Sequence, residues 1–205
     1  MSAFGPTSEH VPVRVFGGPT ALFEYGGLRF LTDPTFDAPG DYPRLDGRWL
    51  TKTAPSSGRP ADLGRIDVVL HFHDEHPDNL DHSGRALLAD VPLTLTTPGG
   101  GQRLGKGATG LSGDNASLDA VKEIAERFAP VDTAIVFAGA PRFHSLFAGA
   151  CIVLDSAQAA EAATILGARR VVPVHYDSWA HFTEGREELV AAFTAAGLAA
   201  RLDLG

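Results

Sequence analysis

Cysteine is nearly absent. Cys151 is the only one in 205 residues, so no internal disulfide can form, and a reducing cytoplasm is the expected compartment. Lysine is scarce as well, 3 residues against 14 arginines, and no run of basic side chains occurs. With a net charge of -8 and a pI of about 5.4, the chain lacks the clustered Lys and Arg that phosphate-backbone binding requires, so a nucleic-acid partner is not expected. No apolar run approaches the roughly 20 residues that span a bilayer, and Met-Ser-Ala-Phe-Gly-Pro opens the chain without the basic and apolar regions of a signal peptide. What is present is ample core material: 44% hydrophobic residues against 20% charged, which excludes a disordered, collagen-like or coiled-coil chain. The expectation is a cytoplasmic protein made of one domain over residues 1–205.

Residues 11 to 32 alternate in the β manner around Gly26-Gly27, a hairpin signal. From 33 to 60 the chain carries Pro34, Pro39, Pro43, Pro55 and Pro60 without helical periodicity and reads as a long loop, in which Tyr42, Arg48 and Trp49 are placed to cover a cleft. Ile66 to Leu70 reads as a buried strand. A helix is expected from about Asp78 to Ala89, a strand from Val91 to Thr96, and a break at Pro98-Gly99-Gly100-Gly101. Further helices are expected at 116–128, at 156–166 with Ser156 as N-cap, and at 187–196. The matching strands are 132–137, 171–174 and 199–204. Alternation of β and α after a hairpin predicts an α/β domain with its polar clusters at strand ends.

Four of the eight histidines fall between residues 71 and 82, directly after the strand. Imidazoles and carboxylates crowded past a strand end suit a divalent transition metal, because the strand fixes their direction and the turn lets them converge. Ser112-Gly113-Asp114 precedes a helix, and Val172-Pro173-Val174-His175 ends a strand. Taken singly, each has a plainer reading: a solvated polar loop, an N-cap, a structural histidine. Three such clusters in three βα units favour a shared metal site.

In this order, Asp33-Pro34, the His/Asp cluster at 73 to 79, Ser112-Gly113-Asp114 and Val172-Pro173-Val174-His175 resemble the metallo-β-lactamase fold. Within it the chain is most similar to the L-ascorbate-6-phosphate lactonase-like branch of metal-dependent hydrolases, and Trp179-Ala180-His181-Phe182 fits that branch too. The resemblance implies a four-layer αββα sandwich holding one or two divalent ions, Zn2+ first and Mn2+ second. It also implies a metal-activated water acting on a lactone, ester or phosphodiester of a small molecule. By the same resemblance His73, His76, Asp78, Asp114 and His175 are metal ligands. Asp78 has the added task of orienting the nucleophile or passing its proton on, and His181 either contacts substrate or packs structurally with a tryptophan.

The chain departs from the family pattern twice. His-x-His-x-Asp-His can be aligned as His71-x-His73-x-Glu75-His76, or in a second register that makes Asp78-Asn79 the Asp-His pair. The second register is preferred, which leaves His71 a structural residue and puts an amide, a poorer ligand than imidazole, at Asn79. The stretch between 96 and 112 is also too short for the strands and histidine the family carries there. That ligand is absent, or it is supplied by His144 or His181. The alternative function is therefore a degenerate member of the fold, without catalysis, serving as a binding or assembly partner; homo-oligomer formation stays open.

Overall fold

The computed structural model describes residues 11–44, 47–72, 74–105, 116–142 and 151–204. In chain order the strands are β1 (Val13–Gly17), β2 (Thr20–Tyr25), β3 (Leu28–Thr32), β4 (Gly40–Pro43), β5 (Trp49–Lys52) and β6 (Val68–Leu70). There follow α1 (His82–Leu87), β7 (Leu93–Leu95), α2 (Pro98–Leu104), α3 (Leu118–Phe128), β8 (Thr133–Phe137), α4 (Ser156–Ile165), β9 (Arg170–Val174) and α5 (Arg186–Ala195).

The first sheet has the order β1-β2-β3-β6-β7. Its first half is an antiparallel meander, turned at Gly26-Gly27, where both residues take positive φ, +59° and +78°. Beyond β3 the pairing becomes parallel, β3 to β6 and β6 to β7. The second sheet, among the described residues, consists of β8 and β9, also parallel. Helices α3, α4 and α5 bury Val121, Ala159, Ala163, Leu189 and Phe193 against one face of it. On the first sheet Phe16, Leu22, Leu31 and Val69 form a separate core with Leu80, Leu88 and the partly buried Leu87 and Leu104. An α/β architecture with mixed sheets and helices is thus what the sequence folds into.

Several boundaries differ from the sequence expectation, each for a local reason. The 33–60 segment holds a hairpin, β4 with β5, and a short 3-10 turn at Pro60–Asp62. The helix expected from Asp78 begins at His82. Residues 76–80 close a single turn on the His76 carbonyl, the chain extends at Asp81, and the Asp81 carboxylate then caps Gly84 N–H. Pro98 does not end regular structure: it starts α2 behind Thr97, which caps Gly100 N–H, as proline at the first helical position allows. Helix α4 is capped by Asp155 rather than Ser156, in a reciprocal box with Gln158, and the Ser156 N–H donates to Glu184 instead. Residues 199–204 form a 3-10 turn, Ala199–Arg201, followed by a single bridge from Leu202 to Val171.

Because β3, β6 and β7 run parallel, as do β8 and β9, their carboxyl ends gather polar loops. Phe72, just past β6, meets Phe137 at the end of β8 edge-to-face at 4.8 Å, which ties the carboxyl ends of strands from the two sheets together. Ligand sites in α/β folds lie at such carboxyl edges.

Candidate metal centre

Three side chains from two distant segments converge at this edge. Asp78 sits in the turn before α1; His175 follows β9; His181 lies six residues on. The Nε2–H groups of His175 and His181 donate to Asp78 Oδ2 at 3.3 and 3.0 Å. One potential ligand atom from each residue falls within 4.8 Å of the other two. Asp78 and His175 are buried, with side chains 4% and 2% exposed, and His181 is nearly so at 11%. Burial by itself pushes the Asp78 carboxyl up, yet the hydrogen bonds and charges of the two imidazoles outweigh it and hold it well below the usual carboxylate range. The centre therefore contains an anion at neutral pH.

His175 is held under strain. It takes φ +61°, which is uncommon for a residue with a Cβ and marks a place where the surroundings over-determine the backbone. Those surroundings can be named. Its N–H donates to the Gly18 carbonyl at 2.7 Å, and Phe137 stacks on its ring at 4.9 Å. Phe182 packs edge-on at 4.6 Å. Gly139 lies so close that a Cβ there would come within 2.1 Å of the His175 carbonyl oxygen.

A second buried pair supports the first strand. Asp33, itself at positive φ, bonds His71 Nδ1 at 2.9 Å and accepts from Phe72 N–H at 2.9 Å. His71 is fully buried, and its backbone N–H donates to Leu95 O at 2.7 Å, which ties the end of β6 to β7.

The predicted ligands are distributed unevenly. Asp78 and His175 come together, and His181, expected to touch substrate and also considered as a replacement ligand, joins them. The carboxylate that meets His175 is Asp78, not Glu75, whose side chain is 38% exposed and ion-paired with Arg103. His76 is elsewhere engaged: the Arg44 guanidinium lies 3.0 Å from its Nε2. His73, Asp114 and His144 lie outside the described residues. Of the loop residues, Tyr42 stands between His82 and Trp179, its ring 6.4 and 5.9 Å from theirs, whereas Trp49 is 63% exposed. Arg44 and Lys52 carry no sequence signal beyond their charge. Lys52 is buried, donates to Thr35 O and Ser56 Oγ, and has its ammonium pKa lowered by burial despite Asp81 and Asp37 nearby.

The donor set fits a divalent ion. Two imidazole nitrogens and a carboxylate oxygen are the atoms such an ion takes, and Asp78 Oδ1, buried, has no hydrogen-bond partner among the described residues. A cavity of about 190 Å³ lined by Tyr42, Asp74, Glu75, Asp81, His82 and Arg85 adjoins this segment, while a larger one of about 740 Å³ near Pro60 and Val91 lies away from the histidines.

No protein-family model matches the chain, and no curated protein does. Solved structures do. An isothiocyanate hydrolase from Delia radicum gut bacteria is similar over 93% of this chain and 94% of its own, at 14% identity and a TM-score of 0.72. A possible metal-dependent hydrolase from Veillonella parvula is similar over 94% and 95%, at 13% identity and a TM-score of 0.72. The chain shares its fold with these two proteins. A metallo hydrolase from the archaeon Ignicoccus hospitalis matches over 95% and 94% at 17% identity, with a TM-score of 0.60. At these identities the likeness is one of fold alone, and it agrees with the α/β class expected from the sequence.

Proposed function

We propose that this chain is a metal-dependent hydrolase of a small molecule, with Asp78, His175 and His181 at its metal centre. The observation that carries this reading is the convergence of those three side chains, one of them strained, at the carboxyl edge of parallel strands. Structural neighbours that are metal-dependent hydrolases support it. His73, His76 and Asp114 are the further ligands the sequence offers, and Zn2+ is favoured over Mn2+. Cytoplasmic action as one domain over residues 1–205 belongs to the same reading, as does an affinity with the lactonase-like branch.

A divalent ion held there would lower the pKa of a water molecule from 15.7 to roughly 7 and polarise the substrate oxygen. The chain's own groups do the rest. Asp78, anionic and backed by two imidazoles, orients the attacking water through Oδ1, which has no hydrogen-bond partner among the described residues. Phe137 and Phe182 fix the His175 ring and keep bulk water from that side. Tyr42, 5.9 Å from Trp179, and Arg44, 3.0 Å from His76 Nε2, are the side chains of the β4–β5 hairpin that would meet the substrate.

The reading is tested by elemental analysis of protein supplemented with zinc or manganese, together with Asp78→Ala and His175→Ala. We expect bound metal in the wild type and its loss in both variants. Less than about 0.1 equivalent in the wild type overturns the proposal. Chromogenic lactones, esters, phosphodiesters and an isothiocyanate then sort the substrate class. Metal uptake with no turnover of any of them would favour the non-catalytic alternative.

A further inference from the structure

Arginines gather toward the start of β9, whereas His175 follows the other end of that strand. Arg169 and Arg170 stand where β9 begins, Arg186 opens α5, and Arg201 closes the 3-10 turn Ala199–Arg201. All four line one cavity of about 460 Å³. In a chain of net charge -8, four of the 14 arginines thus face a single hollow.

Two of them are held by carboxylates. Arg170, its side chain 16% exposed, donates through Nε to Asp203 Oδ2 at 2.7 Å and through a second nitrogen to Val11 O. Arg169 Nε donates to Asp132 Oδ1 at 2.6 Å. Arg201 donates to Ala168 O at 3.0 Å, and neither it nor Arg186 has a carboxylate partner among the described residues. Four guanidiniums against two carboxylates leave a surplus of two positive charges. Helix formation does not favour Arg186 at its place either, because the first turn of a helix is the positive end of its dipole. Cations held around one hollow repel each other and focus their field on an anion that enters.

We propose that this cavity binds a small phosphorylated molecule, its phosphate held by Arg186 and Arg201 beside the fixed Arg170. A volume of a few hundred Å³ suits a small organic ligand. The guanidiniums come from three segments of the chain, so their donors arrive from several directions. A tetrahedral phosphate accepts from several directions, whereas a carboxylate offers one planar edge that a single arginine fork fills. The site stands apart from the metal centre and does not depend on it.

The test is calorimetric titration of the full chain with pyrophosphate at constant ionic strength, repeated after removal of any metal with a chelator. We expect a Kd of about 1 mM or tighter, the same in both preparations. Arg186→Gln and Arg201→Gln should each weaken binding about tenfold or more while melting as wild type does without the probe, since both side chains are exposed. Arg127→Gln removes an exposed charge from α3, outside the cavity, and should leave binding within about twofold. Should one cavity variant not fold, the other decides, because the two lie on separate segments. A weaker Kd in wild type, or unchanged binding in the cavity variants, overturns the proposal. So does an equal loss in Arg127→Gln, which would mean diffuse attraction, or a loss on chelation, which would mean binding through a metal ion. Citrate binding more tightly than pyrophosphate overturns the assignment to phosphate.

Discussion

Asp78 and His175 stand 97 residues apart in the chain, yet His175 Nε2 donates to Asp78 Oδ2 at 3.3 Å in the interior. The two residues follow strands of different sheets, and what joins them is the coincidence of strand polarity: β6 and β9 both deliver their following residues to one edge. A site assembled this way needs its sheets held in register, and the contacts that do so are open to test.

Metal binding to the native state alone should raise the melting temperature. Free ion at 100 times its dissociation constant contributes about 2.7 kcal/mol, which for a chain of this size is on the order of 5–10 °C. Differential scanning calorimetry with and without zinc checks this, and Asp78→Ala should abolish the increment.

Gly139→Ala should damage the centre from behind. The added Cβ would meet the His175 carbonyl at 2.1 Å and the Phe182 ring at 2.8 Å, so the segment bearing both histidines must shift. Overpacking of this kind costs about 1–3 kcal/mol. A lowered melting temperature together with weaker zinc binding is the expected result; loss of stability alone would mean that the histidines move as a rigid unit.

Asp33→Ala should destabilise the first sheet. It strips a fully buried histidine and the Phe72 N–H of their shared acceptor. Leaving buried donors unpaired costs about 1–3 kcal/mol each. Chemical denaturation should show a lower midpoint with an unchanged slope.

Asp37 links α1 to acid stability. Burial raises its pKa, but the Ser83 hydroxyl, the His82 and Ser83 amides and the His82 ring together outweigh burial and lower it. A carboxylate depressed in the folded state stabilises above its unfolded pKa of about 4, and that contribution is lost as the pH falls through the lower folded value. Asp37→Asn should therefore melt below wild type at pH 7, by a cap's worth of about 1 kcal/mol. The gap should close as the pH is lowered past 4 toward the depressed value. A gap constant with pH would show that the cap works without its charge.

Much of this protein was legible from its residues. Periodicity and Gly-Gly marked the hairpin, the apolar runs marked β6, β8 and β9, and histidines placed just after strands marked the edge where chemistry belongs. Two alignments of the 71–79 segment were open, and local pattern could not choose between them, since both put a carboxylate near histidines. Tertiary structure brings Asp78, not Glu75, to His175, because Arg103 holds Glu75 at the surface and the 76–80 turn drives Asp78 inward.

The sequence alone determined which residue types were available and which strand ends would carry them, since alternation and turn residues act over a few positions. Only the fold decided which of them meet. Convergence of Asp78 with His175 and His181 and the strained φ at His175 depend on packing between segments nearly a hundred residues apart, about which no local pattern carries information.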